Sequence, residues 1–288
     1  MIQLLQIAVI LAAAPLLGGI LRTLRARLQN RPGPSVGQPY RELRKLWSKE
    51  AIVAHRSSIV LTAPGIVLGV ALTFVTIVPA IVPAQNSAAQ WRFDAVTLAL
   101  LLALGRFVLV LAALDTGSAF EGMAASREIT FASLTEAPLI IALLGSGFLG
   151  HATLGATPGD LWTDALSAGA LVLVMLSETA RVPVDNQETH YELTMIHEGL
   201  VLEYSGWQLA ALQYAAYLRQ AAFFVLAAEL MPGTGLVTLA WLAGLVVVIA
   251  GIETLYAKVR LFEVPQIFAS ALILAVAGVG LRIAEIVK

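Results

Sequence analysis

Eight stretches of this 288-residue chain each run for about 20 residues with scarcely a charge, and that repetition limits the fold more than any motif does. A hydrocarbon layer about 30 Å thick is crossed by roughly 20 residues of helix, and a span must satisfy its own backbone hydrogen bonds there. The runs fall at about 2–21, 59–83, 95–114, 129–150, 161–180, 207–230, 235–255 and 265–286. With 58% hydrophobic and only 13% charged residues, the chain has too little polar surface to coat a water-soluble globule of its size. The expected fold is all-α: a polytopic membrane protein of about eight transmembrane helices, with 1–288 forming a single membrane domain.

Sidedness follows from basic residues. The connection RTLRARLQNRPGPSVGQPYRELRKLWSKEAIVAHR holds nine of the eighteen Lys and Arg residues, so the positive-inside rule places it in the cytoplasm. Alternating from there, the cytoplasmic loops are 22–58, 115–128, 181–206 and 256–264, and both termini lie on the outer face. The opening MIQLLQIAVILAAAPLLGGIL carries its positive charges after the apolar run, so it reads as a retained first span. Within the first loop, RPGPSVGQP is a turn, and YRELRKLW places Tyr40, Leu43 and Trp47 near one helical face opposite Arg and Lys. That pattern predicts an interfacial amphipathic helix on the inner leaflet, either a charge anchor or a shelf for a cytoplasmic partner.

Charges inside the spans carry the functional signal. Glu136, two turns into the fourth span and just before Pro138, costs roughly 2.5–3.5 kcal/mol to bury even on the lenient insertion scale. It therefore faces a wet cavity or a partner, or is a protonated carboxyl bonded between helices. Arg106 and Arg219 lie near the middle of the third and sixth spans, and arginine stays protonated in proteins. Glu136, Glu178 and Glu203 are their candidate counter-charges, with the pairs left unassigned. Glu253 and Glu229, near span ends, read as snorkelling boundary residues.

Between the fifth and sixth spans, ETARVPVDNQETHYELTMIHEGLVLEYSG gathers Glu178, Asp185, Glu188, Glu192, Glu198 and Glu203 against the single Arg181. Pro183 ends or kinks the preceding helix, and Asp185 or Asn186 is placed to cap a new one. A helix over 187–204 would align Glu188, Glu192 and Glu203 along one face, while the interleaved LTMI and GLVL argue against a simple solvated loop. Desolvation and mutual repulsion raise the pKa values of clustered carboxylates, so such a row exchanges protons near neutral pH. The competing reading is a solvated acidic helix. His190 and His197 share a face at a spacing of seven, yet no histidine sits mid-span and no zinc-protease, phosphate-loop or nucleophile-elbow motif is complete, so no catalytic or metal-binding residue is assigned. There is no cysteine, and any iron-sulfur cluster must sit in another polypeptide.

On these residues the chain resembles the membrane subunit at the junction of the redox and membrane arms of respiratory complex I, the subunit 1 family, and its hydrogenase relatives. ETARVPVDNQETHYELTMIHEGLVLEYSG is similar to the signature of the formate hydrogenlyase subunit 4 and energy-converting nickel-iron hydrogenase branch. RPGPSVGQPYRELRKL resembles that family's first cytoplasmic loop, and SREITFASLTEAPLI its acidic membrane helix. Complex I proper has a pattern resembling E-x-x-R-x-P-x-D-L-P-E-A-E-x-E-L-V before E-Y-S-G. Here Glu178, Arg181, Pro183, Asp185, Glu188, Glu192 and Glu203 remain, but the middle reads NQETHYELTMIHE, which points to the hydrogenase branch.

The resemblance implies a coupling and anchoring subunit in a prokaryotic cytoplasmic (inner) membrane, linking electron transfer to proton or sodium translocation. It implies partners on the cytoplasmic side, a hydrogenase-type large subunit and iron-sulfur proteins carrying the Fe-S clusters and the NiFe centre, as well as antiporter-like membrane subunits and the lipid bilayer, with no nucleic acid. The implied proton path comprises Glu136, Glu178, Asp185, Glu188, Glu192 and Glu203, with Arg181, Arg219 and Arg106 as charge partners and no cofactor in this chain. A quinone-site subunit of an NADH:quinone oxidoreductase is the alternative. An autonomous proton-linked transporter is a third reading, for which the chain lacks a visible inverted repeat.

Overall fold

The apolar runs form long helices in the computed structural model, which describes residues 2–52, 57–81, 95–145, 161–185, 195–231 and 235–287. The α-helices in chain order are α1 (Ile2–Leu28), α2 (Gln38–Trp47), α3 (Ala63–Ile81), α4 (Ala95–Asp115), α5 (Ala119–Gly145), α6 (Leu161–Glu178), α7 (Gly206–Glu229), α8 (Leu236–Leu255) and α9 (Val264–Val287). Short 3₁₀ turns cover Glu198–Val201 and Leu261–Glu263, and no strand occurs among the described residues. Among the described residues, seven helices are long and apolar enough to cross a membrane, and α3 contributes a shorter apolar stretch, Ala63–Val78. The protein is all-α and multi-pass, as its hydropathy requires.

The most enclosed helix is α7, which packs on α1, α2, α3, α6 and α8. A second group forms where α9 lies against α5 and α6, and α4 joins the two by packing on α3 and α5. Phe223 of α7 meets Phe74 of α3 with ring centroids 5.5 Å apart, and Phe131 of α5 meets Phe268 of α9 at 6.0 Å. Because lipid is as apolar as these side chains, close packing and interhelical polar contacts hold such a bundle together more than hydrophobicity does.

The amphipathic helix of the first loop is α2, with Pro39 in its first turn, where a missing N–H costs little. Leu43 packs against the core, while Tyr40 and Trp47 stay partly exposed. The turn before α2 crosses α1 at Gly19, where an added Cβ would lie 1.9 Å from the Val36 carbonyl oxygen. Thr23 Oγ1 donates to the Pro34 carbonyl at 2.9 Å and secures the crossing.

Two expected boundaries differ. α5 begins at Ala119 and not near residue 129, so the expected loop 115–128 contracts to a turn after Asp115 with Gly117 at φ 70°. The added helix bears Glu121 and Glu128, which a hydropathy reading assigns to solvent but which the fold buries. The expected helix over 187–204 is also not found in its described part, which holds only the 3₁₀ turn Glu198–Val201; residues 186–194, including Glu188 and Glu192, lie outside the described residues. Tight packing explains the irregular backbone, since a Cβ at Gly199 would approach Ala124 Cβ of α5 at 2.5 Å. Met195, Ile196 and Leu200 are buried, in keeping with the apolar residues interleaved in this stretch.

The connections assigned to the inner side converge at one end of the bundle. Ser205 Oγ accepts from the Ile52 N–H at 2.8 Å, Asp115 accepts from the Ser58 and Ile59 N–H groups at 2.6 and 2.7 Å, and the Val259 N–H donates to the Pro183 carbonyl at 3.0 Å.

Candidate functional site

A mid-helix arginine in an apolar bundle must find carboxylates, and Arg106 of α4 finds two. Its Nη1 lies 2.6 Å from Glu178 Oε1 at the end of α6, and its Nη2 lies 3.1 Å from Glu136 Oε1 of α5. Thr135 Oγ1 accepts from the same Nη1 at 3.2 Å. Arg106 is 6% exposed and Glu178 2%, so this is a charge pair taken out of water and not a surface contact. Glu136 retains partial exposure. Glu178 Oε2 and Arg106 Nε have no hydrogen-bond partner among the described residues.

Arg219 of α7 lies within electrostatic reach of Glu178 and of Glu128 on α5, which extends the cluster toward the loops. Its Nε is buried without a hydrogen-bond partner among the described residues. Glu128 Oε2 lies 3.5 Å from His197 Nε2, and His197 Nδ1 lies 3.4 Å from Asp185 Oδ2. Asp185 also accepts from the His197 backbone N–H at 3.2 Å and from Lys258 Nζ at 2.7 Å. Burial alone would raise the Asp185 carboxyl, but the hydrogen bonds and charges of His197 and Lys258 outweigh it and hold the group well below the usual carboxylate range. The expectation that burial lifts every acid here toward neutrality therefore does not hold at Asp185, because two cations face it. Burial pushes the His197 ring down, while the Glu128 charge and the Asp185 hydrogen bond and charge more than offset that and place it above its ordinary value.

Among the described residues, Arg181 pairs outside the acidic stretch around it. Its Nη1 lies 2.5 Å from Glu253 Oε1 of α8, and Arg25 of α1 approaches the other oxygen of that carboxylate at 3.7 Å. Glu253 is 7% exposed, which corrects its reading as a boundary residue: it is an interior counter-charge between α1, α8 and the loop after α6. Glu229 is half-buried beside an apolar crevice between α1, α7 and α8. The Glu203 side chain is exposed; only its backbone N–H joins the interior, donating to Glu121 Oε1 at 3.2 Å. Thr116 Oγ1 donates to the other oxygen of Glu121.

The site thus brings Glu136, Glu178, Arg106 and Arg219 together and joins Asp185 to them through His197 and Glu128. Arg181 stands in a neighbouring pair, and Glu203 stands apart. Glu121, Glu128, Glu253, His197 and Lys258 were missing from the sequence-derived site. A signal for two of them exists: Glu121, Glu128 and Thr135 recur every seven residues and share the buried face of α5.

Two cavities flank the chain of charges. One of ≈ 110 Å³ lies among α3, α4 and α7, with apolar walls such as Phe74 and Leu212 and a polar end of His197, Glu198, Gln213 and Arg219. A second of ≈ 310 Å³ is lined by Arg22, Arg25, Arg181, Asp185, Gln220 and Glu253. Both are bordered by Thr179, Ala180, Glu198, Gln213 and Ala216, so one wall separates them. Among the described residues no group of three or more His, Asp, Glu or Cys side chains is arranged to hold a metal ion. Chemically, the arrangement can hold, stabilise and redistribute charge and protons.

Comparison with known proteins gives concordant matches. The family described as NADH dehydrogenase matches residues 1–282. Hydrogenase-4 component C of Escherichia coli (strain K12) is 32% identical over 228 residues, covering 75% of this chain and 70% of the relative. Formate hydrogenlyase subunit 4 of the same organism is 34% identical over 227 residues, covering 75% and 72%. A chain in the structure of the membrane-bound sulfane sulfur reductase, an archaeal respiratory membrane complex, superposes with a TM-score of 0.79 at 17% identity, over 97% of this chain and 98% of that one, which establishes a shared fold.

Proposed function

The chain belongs to the NADH dehydrogenase family, within its complex I subunit 1-like members, and from that premise we propose that it is the membrane-anchoring and coupling subunit of a complex I-like membrane-bound hydrogenase. The hydrogenase-type middle of the acidic stretch and the names of two relatives more than 30% identical support that branch. In this reading the chain carries no complete catalytic centre. Electrons pass through iron-sulfur clusters to a nickel-iron centre in cytoplasmic partner subunits, and antiporter-like membrane subunits receive the coupling signal. The chain sits in the cytoplasmic membrane with both termini on the outer face, in line with the positive-inside distribution.

One observation carries the proposal: a chain of charges, buried except at its Glu136 end, runs from Asp185 among the converging loops, through His197 and Glu128, to Arg219, Glu178, Arg106 and Glu136 within the helices. An isolated structural ion pair needs two members. A chain crossing α4, α5, α6 and α7 lets a change of charge at the loop end shift proton occupancy at the helix end, because interactions are weakly screened in so dry a setting. Glu188 and Glu192 are proposed to extend the chain toward the redox partner. Affinity purification of the gently solubilised chain tests the assignment: a nickel-iron large subunit and iron-sulfur proteins should co-purify. A chain that runs alone with full transport activity overturns it.

The ≈ 310 Å³ cavity favours a second reading, a quinone site. Gln220 Nε2 is buried there without a hydrogen-bond partner among the described residues, and Tyr217 also lines the cavity, so the donors suit a carbonyl acceptor. Turnover of the intact complex that is sensitive to quinone analogues would support this reading, and insensitivity would remove it.

A further inference from the structure

His197 is absent from the proton path that the sequence resemblance implies, yet it is the contact between the two halves of the charge chain. Its ring lies between carboxylates from different elements, Asp185 after α6 at 3.4 Å from Nδ1 and Glu128 of α5 at 3.5 Å from Nε2, and it also borders the ≈ 110 Å³ cavity. The other charged groups facing this point are Arg219 of α7, Lys258 of the α8–α9 connection, which holds Asp185, and the neighbouring Glu198; Arg127 of α5 is engaged with the Met195 carbonyl at 3.0 Å.

We propose that His197 is the proton-transfer residue that carries protons from this cavity to Glu128, with Asp185 as the positioning residue that fixes its ring. The proposal rests on the coupling function above. Lys258 keeps Asp185 ionised, so Asp185 accepts from Nδ1–H and fixes the tautomer, and the exchanging lone pair is on Nε2, the nitrogen facing Glu128. A proton taken up at Nε2 gives the imidazolium; transfer of that proton to Glu128 Oε2 returns His197 to its neutral Nδ1–H form and leaves Glu128 protonated beside Arg219. Asp185 stays ionised throughout. Transfer requires this 3.5 Å contact to shorten to hydrogen-bonding distance. The Glu128 and Asp185 carboxylates on either side raise the proton affinity of the ring, which suits a group that takes up a proton in passing.

The test uses inside-out membrane vesicles carrying the intact complex, with proton uptake followed by a pH-sensitive dye and hydrogenase turnover measured in parallel. Wild-type uptake should decline as pH rises through the His197 pKa. His197→Gln should lower protons moved per electron by about tenfold or more and should abolish that alkaline limb. Glu128→Gln should give the same loss, and it decides the matter if His197→Gln fails to assemble. A His197→Gln or Glu128→Gln complex with wild-type uptake and pH profile overturns the relay. If Glu178→Gln is defective in the same assay, the coupling reading survives that failure; if Glu178→Gln is also silent, or the wild-type complex moves no protons, both fall.

Discussion

Arg106 faces the heaviest demand at the residue scale, because a guanidinium does not discharge by losing its proton and must be neutralised where it stands. Glu178 and Glu136 do this from two other helices, at 2.6 and 3.1 Å. Removing one partner strands the other, so Arg106→Leu is expected to cost about 3–5 kcal/mol, read as a lower thermal midpoint of the detergent-solubilised complex and a poor yield. Arg106→Lys, with a point charge in place of a fork, should fall between the two. The Asp185–His197–Lys258 cluster makes stability depend on pH. The raised His197 pKa contributes stability that is complete below its ordinary value and is lost as pH rises through the raised one. The lowered Asp185 pKa contributes stability that is present above the ordinary Asp range and is lost only in strong acid. The thermal midpoint should therefore drop from mildly acidic to mildly alkaline pH, and His197→Gln should flatten that slope; an unchanged slope in the variant would contradict the assignment.

At the scale of elements, the EYSG sequence ties α7 to the first loop by backbone proximity. Gly206 opens α7 at φ 54°, and a Cβ there would lie 2.4 Å from the Glu50 carbonyl oxygen, while Ser205 bonds Ile52 instead of capping its helix. Gly206→Ala meets both strain and collision, so it should abolish accumulation of the folded chain, measured by immunoblot of membranes. Ala180 after α6 adopts φ 52° without the freedom of glycine, and Ala180→Gly should stabilise by about 1 kcal/mol, read as a raised thermal midpoint. The spans and the amphipathic helix were legible in the sequence because apolar length and helical periodicity are local signals. The start of α5 was not: Glu121 and Glu128 resemble loop charges until Thr116, the Glu203 N–H and His197 are seen to satisfy them. The ion pairs were not legible either, since Arg181 and Glu253 are 72 positions apart and Lys258 and Asp185 are 73, distances over which composition carries no register.

Over the whole molecule, one central helix and one chain of charges, linked at Arg219 through its electrostatic interactions with Glu128 and Glu178, join the loop end to the helix interior. The helices α4, α5, α6 and α7 each contribute a charged group, and the strap from Pro183 to Val259, with Lys258 on Asp185, fastens the α8–α9 connection to the same point. Such a bundle is suited to transmitting an electrostatic event. The direct measurement of this claim is the ratio of protons translocated to electrons transferred in sealed vesicles of the intact complex, compared between wild type and Glu136→Gln and Glu178→Gln. The account predicts assembled complexes in which that ratio falls severalfold in both variants; wild-type ratios in both would show that these carboxylates only hold the helices together.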